Sequence, residues 1–96
     1  MKLEELRSKY RTLILALASK YHAHNVRIFG SVARGEENEK SDIDILVSFN
    51  TGASLLDEAG LYRELKSLLG GRIDVIGDDT IRDEFKPFIL NEAILL

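Results

Sequence analysis

Three aspartates are the residues of this chain best suited to chemistry. Asp42 and Asp44 are separated by one residue in SDIDILV, and Asp74 follows later in RIDVI. Alternate side chains of a strand point to the same face, so Asp42 and Asp44 share one face while Ile43 and Ile45 occupy the other. Adjacent carboxylates repel each other and are costly to desolvate unless a cation joins them. The simplest cation for this pair is a divalent metal ion.

A strand and a tight turn precede the two aspartates. Val26 to Phe29 is rich in β-branched and aromatic residues and predicts a first strand, which ends at the turn Gly30-Ser31. Val32-Ala33-Arg34 predicts a short helical turn before a charged surface loop. A second strand is predicted from Asp42 to Phe49, with the two carboxylates at its start.

Two amphipathic helices are expected to support these strands. The first precedes strand one, and its apolar positions recur at spacings of three and four: Leu3, Leu6, Tyr10, Leu13, Ile14, Leu17 and Tyr21. The second is expected to begin with a capping box at Ser54 and Asp57 and to stop at Gly70-Gly71. Its predicted inward residues are Leu55, Ala59, Tyr62, Leu65, Leu68 and Leu69.

A third strand, Arg72 to Ile76, carries Asp74. Asp78-Asp79-Thr80 is expected to start a short helical segment, and Pro87 to begin a last helix that carries Phe88, Ile89, Ala93 and Ile94. This order of elements predicts an α/β fold, a small mixed sheet packed with helices. If strands two and three are neighbours, about 4.8 Å apart, Asp74 faces Asp42 and Asp44. Three carboxylates on one sheet face would suit Mg²⁺, which favours oxygen ligands.

Length and composition exclude several other classes of protein. With 96 residues, residues 1–96 are expected to form a single domain, and the absence of cysteine excludes disulfides and thiolate metal sites. No apolar run is long enough to span a membrane and no signal-peptide pattern is present, so a cytoplasmic location is expected. His22 and His24, two apart in a predicted turn, are interpreted as solvated loop residues rather than metal ligands.

Charge is distributed unevenly along the chain. Residues 1–35 hold seven Lys or Arg against two Asp or Glu, a balance of +5, whereas residues 36–96 hold six against fourteen, a balance of −8. The first third is therefore suited to attract phosphate and the remainder to hold cations. A long nucleic acid is not expected as a partner, because a strongly basic surface is missing.

These motifs together resemble a known signature. Gly30-Ser31, ten intervening residues and then Asp42-Ile43-Asp44 resemble the GS-x10-DxD pattern of the nucleotidyltransferase superfamily that includes DNA polymerase beta. GSVARG followed by SDIDILV is similar to the minimal nucleotidyltransferase (MNT) group, and Asp74 stands where that group has its third carboxylate. A calcium-binding EF-hand loop is excluded, because no glycine or further ligand follows the aspartates at the required offsets.

The resemblance implies a polymerase beta palm-like fold and a metal-dependent site. In such enzymes two Mg²⁺ ions bridge the substrate, which is ATP or another nucleoside triphosphate; one ion activates the acceptor hydroxyl and the other steadies the leaving pyrophosphate. Asp42 and Asp44 would hold both ions, and Asp74 would complete the reactive one and accept the proton of the nucleophile.

The same resemblance assigns the turn to the phosphate chain. Gly30 would allow close approach of the backbone, and the Ser31 hydroxyl with neighbouring amides would bind the β- and γ-phosphates. Arg34 is either a further phosphate contact or a surface residue paired with Glu36 or Glu37.

The expected function follows from what the chain lacks. No second domain for an acceptor is evident, so a partner should bring it, and many MNT proteins resemble antitoxins encoded with a HEPN-type toxin ribonuclease. The leading hypothesis is therefore transfer of AMP from ATP to a tyrosine of such a toxin. One alternative is a non-catalytic module that neutralises its partner by contact, for which Ile94-Leu95-Leu96 could serve unless that tail packs in the core. Another is transfer to a small molecule or an RNA end, and a homo- or hetero-oligomer is compatible with each.

Overall fold

A four-stranded mixed sheet forms the centre of the computed structural model, which describes residues 1–96. The strands are β1 (Ala23–Phe29), β2 (Ile43–Phe49), β3 (Ile73–Gly77) and β4 (Ile94–Leu95), in the order β3-β2-β1-β4. β1 runs antiparallel to both β2 and β4, whereas β2 and β3 are parallel. The predicted mixed sheet is therefore confirmed, with one more strand than the sequence indicated.

Helical segments connect and cover these strands. They are α1 (Leu3–Glu5), a π-helical turn (Leu6–Tyr10), α2 (Arg11–Lys20), α3 (Gly30–Arg34), α4 (Leu55–Leu69), a 3₁₀ turn (Asp78–Thr80) and α5 (Lys86–Glu92). None of these helices has both the length and the hydropathy needed to cross a membrane.

The hydrophobic core lies between one face of the sheet and two helices, α2, which precedes β1 in the chain, and α4, which follows β2. Ile14 from α2 and Leu61 from α4 pack in one cluster with Ile28 and Ile45 of the central strands, and all four are fully buried. Burying an aliphatic side chain of this size contributes about 1.5–3 kcal/mol. Since the odd-numbered residues of β2 occupy this face, the even-numbered Asp44 must lie on the other.

The buried face of the first helical region differs from the predicted one at Leu13, which is 51% exposed. The π-helical turn at Leu6–Tyr10 places an extra residue in one helical turn and so rotates the residues that follow. As a result Ile14 and Ala18 face the sheet, and the prediction that Leu13 points inward is wrong.

The capping box of α4 is confirmed, and so is the part of its predicted buried face formed by Leu65 and Leu69. The amide of Asp57 donates to Ser54 Oγ at 3.3 Å, the amide of Ser54 donates to Asp57 Oδ2 at 2.9 Å, and the helix ends before Gly70 at φ +74°. The buried residues of α4 are Gly60, Leu61, Leu65 and Leu69, whereas Leu55, Ala59 and Tyr62 are exposed.

Gly60 explains this rotation of α4. A Cβ at this position would lie 2.9 Å from Cζ of Tyr21, so only glycine lets the Tyr21 ring pack against the helix there. The close packing turns the Gly60 side of the helix inward. The predicted inward positions of Leu55, Ala59 and Tyr62 are therefore wrong.

The strand before the Gly-Ser turn begins earlier than predicted. β1 starts at Ala23, because Ala23 and His24 already pair with Phe49 and Ser48 of β2. The ladder is irregular between His24 and Arg27, where Asn25 adopts a left-handed conformation at φ +54°. His22 and His24 are both exposed, as expected, and lie against Asp57 and Asn50. The prediction that His24 is a loop residue is wrong, because it pairs with Ser48 within the β1–β2 ladder.

The C-terminal segment contains a strand where the sequence predicted helix. α5 ends at Glu92, and Ile94 pairs with Ile28 and Leu95 with Arg27 in an antiparallel ladder. The amide of Leu96 donates to the Val26 carbonyl at 3.0 Å, and the Leu96 side chain is buried. Ladder hydrogen bonds and burial of Leu96 replace a further helical turn, so the assignment of Ala93 and Ile94 to the last helix is wrong.

Candidate active site

Asp44 and Asp74 lie side by side on the sheet face opposite the core. In the parallel β2–β3 ladder Asp44 pairs with Asp74, one position after the pair Ile43 and Ile73. Paired residues of neighbouring strands share a face and lie about 4.8 Å apart. The predicted adjacency of strands two and three is confirmed, and it brings together carboxylates that are far apart in the chain.

Asp42 lies just before β2, at the same end of the sheet. Its Oδ1 is 3.4 Å from Nε of Arg72, and both side chains are largely exposed. The amide of Ile43 donates to the Arg72 carbonyl at 2.8 Å, which holds the starts of β2 and β3 together. Asp42 is thus close to the other two carboxylates but has a cation of its own.

The electrostatic environment of Asp44 is unfavourable for its charge. Burial raises the pKa of the Asp44 carboxyl above its ordinary value, and the negative charges of Asp74, Asp42 and Glu92 raise it further, while Arg34 opposes them. Desolvation and like charges both disfavour an ionised carboxylate. A ligand that brings positive charge to this end of the sheet would relieve this cost.

Gly30 lies directly against Asp44. The last residue of β1, Phe29, pairs with Asp44, so the turn that follows passes over the carboxylate. Gly30 has φ +73°, and a Cβ added there would overlap Asp44 Oδ2 and lie 3.0 Å from its Cγ. Both the backbone conformation and the space at this position therefore require glycine.

Ser31 and Arg34 lie on the short helix α3 that leaves this turn. Ser31 is half-buried, and α3 ends before Gly35, which has φ +74°. The guanidinium of Arg34 lies 3.5 Å from Glu36 Oε2 through Nε and 2.5 Å from Glu92 Oε1 through Nη1. Pairing with Glu36 agrees with the surface alternative predicted for Arg34, whereas no pattern in the sequence predicts pairing with Glu92.

Glu92 is the residue near this site that sequence reasoning missed. It is the last residue of α5, and its Oε2 accepts a hydrogen bond of 2.9 Å from the amide of Gly30. No local pattern links residues 62 positions apart. The only sequence signal is an acidic residue directly before an apolar tail, which is too common to predict this contact.

The carboxylates have the right donor chemistry for Mg²⁺ but do not form a closed cage. No group of three His, Cys, Asp or Glu side chains is gathered tightly enough to hold a metal ion. Asp44 and Asp74 are adjacent, whereas Asp42 pairs with Arg72 and would have to leave it to join them. An oxygen-only set that is open on one side fits Mg²⁺, which keeps several waters and takes other ligands from phosphates.

Comparison of the sequence with known proteins gives a consistent result. Residues 10–96 match the model of the nucleotidyltransferase domain family. A Methanocaldococcus jannaschii protein that carries the provisional name protein adenylyltransferase is 43% identical over 94 residues, covering 98% of this chain and 97% of the relative. Protein adenylyltransferase MntA of Thermococcus cleftensis is 34% identical over 92 residues, covering 96% and 93%.

Solved structures agree with the fold. A protein provisionally described as a minimal nucleotidyltransferase superposes with a TM-score of 0.87 and 45% identity, covering 100% of this chain and 97% of that one. A toxin-antitoxin crystal structure with AMP-PNP superposes with a TM-score of 0.75 over 90% of this chain and 71% of that one. At 19% identity, this second likeness concerns the fold alone.

Proposed function

Because the chain belongs to the nucleotidyltransferase domain family, we propose that it transfers AMP from ATP to a hydroxyl group of a partner protein. The acceptor we favour is a tyrosine of a HEPN-type toxin, which would make this chain the antitoxin of the pair. Two relatives with the name protein adenylyltransferase, each similar over nearly its whole length, support a protein acceptor. The proposal takes residues 1–96 as one catalytic domain whose acceptor comes from a second protein.

The observation that carries the proposal is the pairing of Asp44 with Asp74 beside Gly30. Asp42, Asp44 and Asp74 are the residues that would hold Mg²⁺, with two ions expected when nucleotide is present. Bound there, the metal would neutralise phosphate charge and favour the deprotonated acceptor hydroxyl. The net repulsion at Asp44, which Arg34 only partly offsets, supports a role for a bound cation at this position.

The chain's own residues would position the reactants and move the proton. The amide of Gly30 and the hydroxyl of Ser31 would bind the β- and γ-phosphates, with Arg34 as a further contact. The acceptor oxygen attacks the α-phosphorus of ATP, the bond from that phosphorus to the β-phosphate oxygen breaks, and pyrophosphate leaves. Asp74, which is exposed at the sheet edge, would accept the proton of the acceptor hydroxyl.

The direct test uses as acceptor the protein encoded by the gene adjacent to the gene for this chain. Purified chain, ATP and Mg²⁺ are incubated with that protein, and its intact mass is measured. We expect a gain of one adenylyl group that maps to a tyrosine and that is absent with Asp44→Asn. An unchanged mass with the wild-type chain would contradict the proposal.

A contact-only antitoxin is the second candidate, and one observation favours it. Phe88 on α5 and Leu95 on β4 are 75% and 66% exposed, which offers apolar surface to a partner. Asp44→Asn separates the two functions in a growth assay with the toxin. Loss of neutralisation with retained complex formation indicates catalysis, whereas unchanged neutralisation indicates binding alone.

A further inference from the structure

The carboxylate of Glu92 lies between two hydrogen-bond donors, the Gly30 amide of the Gly-Ser turn and the guanidinium of Arg34 at the end of α3. Its Oε2 accepts from the Gly30 amide at 2.9 Å and its Oε1 accepts from Nη1 of Arg34 at 2.5 Å. Each oxygen thus has its own donor, one from the backbone and one from a guanidinium. Hydrogen bonds to an ionised carboxylate are among the stronger hydrogen bonds of proteins.

The same two donors are the ones that the proposed function gives to the phosphate chain of ATP. A carboxylate and a phosphate accept from the same groups in similar geometry, so the two anions cannot occupy these donors together. Glu92 also lies close enough to Asp44 for its charge to disfavour ionisation of that carboxyl. A phosphate chain entering this turn therefore meets an anion already in place.

We propose that Glu92 is an internal competitor that a polyphosphate must displace from the Gly30 amide and Arg34. This inference rests on the proposed function, since it concerns how the same turn accepts and releases its ligand. Competition of this kind lowers the affinity for the triphosphate of the substrate and for the pyrophosphate product by a similar factor. A ligand without a phosphate chain is unaffected.

Displacement of Glu92 does not require the fold to change. Its side chain is 26% exposed, so rotation about the side-chain bonds leads to solvent. The residue that follows, Ala93, is already extended, and β4 remains tied to β1 through the pair Ile94 and Ile28. Glu92 can therefore leave and return while the backbone on both sides stays fixed.

Glu36 provides a matched control for Glu92. It also pairs with Arg34, at 3.5 Å, but its side chain is 66% exposed and it makes no hydrogen bond to Gly30. Glu92→Gln and Glu36→Gln each remove one negative charge beside the same guanidinium. Only the first removes an anion from the turn.

The experiment measures binding of inorganic tripolyphosphate, pyrophosphate and adenosine by calorimetry at a fixed Mg²⁺ concentration. We expect Glu92→Gln to bind both polyphosphates about tenfold tighter than wild type, equivalent to about 1.4 kcal/mol. Glu36→Gln should change both affinities less than about threefold, a small effect typical of an exposed ion pair. Adenosine binding should stay the same in all three proteins.

Unchanged or weaker polyphosphate binding by Glu92→Gln would overturn the inference, because Glu92 would then only support the turn. If Glu92→Gln does not fold, Glu92→Asp decides the matter, since the shorter side chain cannot reach both donors and should also tighten binding. The readout needs no acceptor protein. A failure here is therefore distinct from a failure of adenylyl transfer.

Discussion

Substitution of Gly30 by alanine tests the site most sharply, because it changes two things that can be separated. Alanine at φ +73° is strained, and its Cβ would overlap the carboxylate of Asp44. The left-handed conformation costs a non-glycine residue about 1–2 kcal/mol. The overlap must be relieved by movement of Asp44, which the proposed function places at the reacting phosphate.

Gly70 gives a control with the same strain and no clash. It has φ +74°, and a Cβ added there meets no atom within 4 Å. Gly70→Ala should therefore lose about 1–2 kcal/mol of unfolding free energy and keep its activity. Gly30→Ala should lose at least as much stability and, in addition, about 100-fold in activity, the effect expected when a catalytic group moves by about 1 Å.

The assay compares both variants with wild type at a temperature where all three are folded. Urea denaturation gives the stability, and the rate of mass gain of the partner protein gives the activity. If Gly30→Ala keeps wild-type activity, the reasoning is refuted, because contact between the turn and Asp44 would then be irrelevant. If both variants lose the same fraction of activity, the reasoning is also refuted, because strain alone would then be responsible.

Three further substitutions test the electrostatics and the packing. Because the pKa of Asp44 is raised on folding, its charge destabilises the protein at neutral pH, and in metal-free buffer Asp44→Asn should melt higher than wild type at pH 7. The two melting points should converge as pH falls toward the ordinary pKa of 3.8 and coincide below it, and added Mg²⁺ should raise only that of wild type. The pKa of Asp78 is lowered, since hydrogen bonds from Ser48 and Arg27 outweigh its burial. Asp78→Asn should therefore lose about 1–3 kcal/mol of unfolding free energy in urea denaturation at pH 7. The difference in unfolding free energy between the variant and wild type should shrink as pH falls below about 3.8. Gly60→Ala should destabilise the protein by about 1–2 kcal/mol in the same assay, because overlap with the Tyr21 ring costs more than the roughly 1 kcal/mol gained in helix propensity. A variant more stable than wild type would contradict this and show that the Tyr21 ring moves away freely.

Local features of the chain were largely readable from its sequence. The start and end of α4 were predicted at Ser54 and Gly70, because a capping box and a left-handed glycine act over a few residues. The helix faces were less accurate, at Leu13 and around Gly60, because a π-helical turn and a ring packed on a glycine rotate helices in ways that periodicity does not encode.

The sequence by itself determined the residue types of the site and that Asp44 lies on the face of its strand opposite Ile43 and Ile45, because alternation along one strand is a property of neighbouring residues. Only the tertiary structure decided that Asp74 stands beside Asp44 in the β2–β3 ladder, since the register between strands depends on packing of the whole sheet. The same holds for Glu92, which reaches Gly30 only after the chain has folded back and β4 has paired with β1. Contacts between distant segments depend on how the core closes, and no pattern within either segment specifies them.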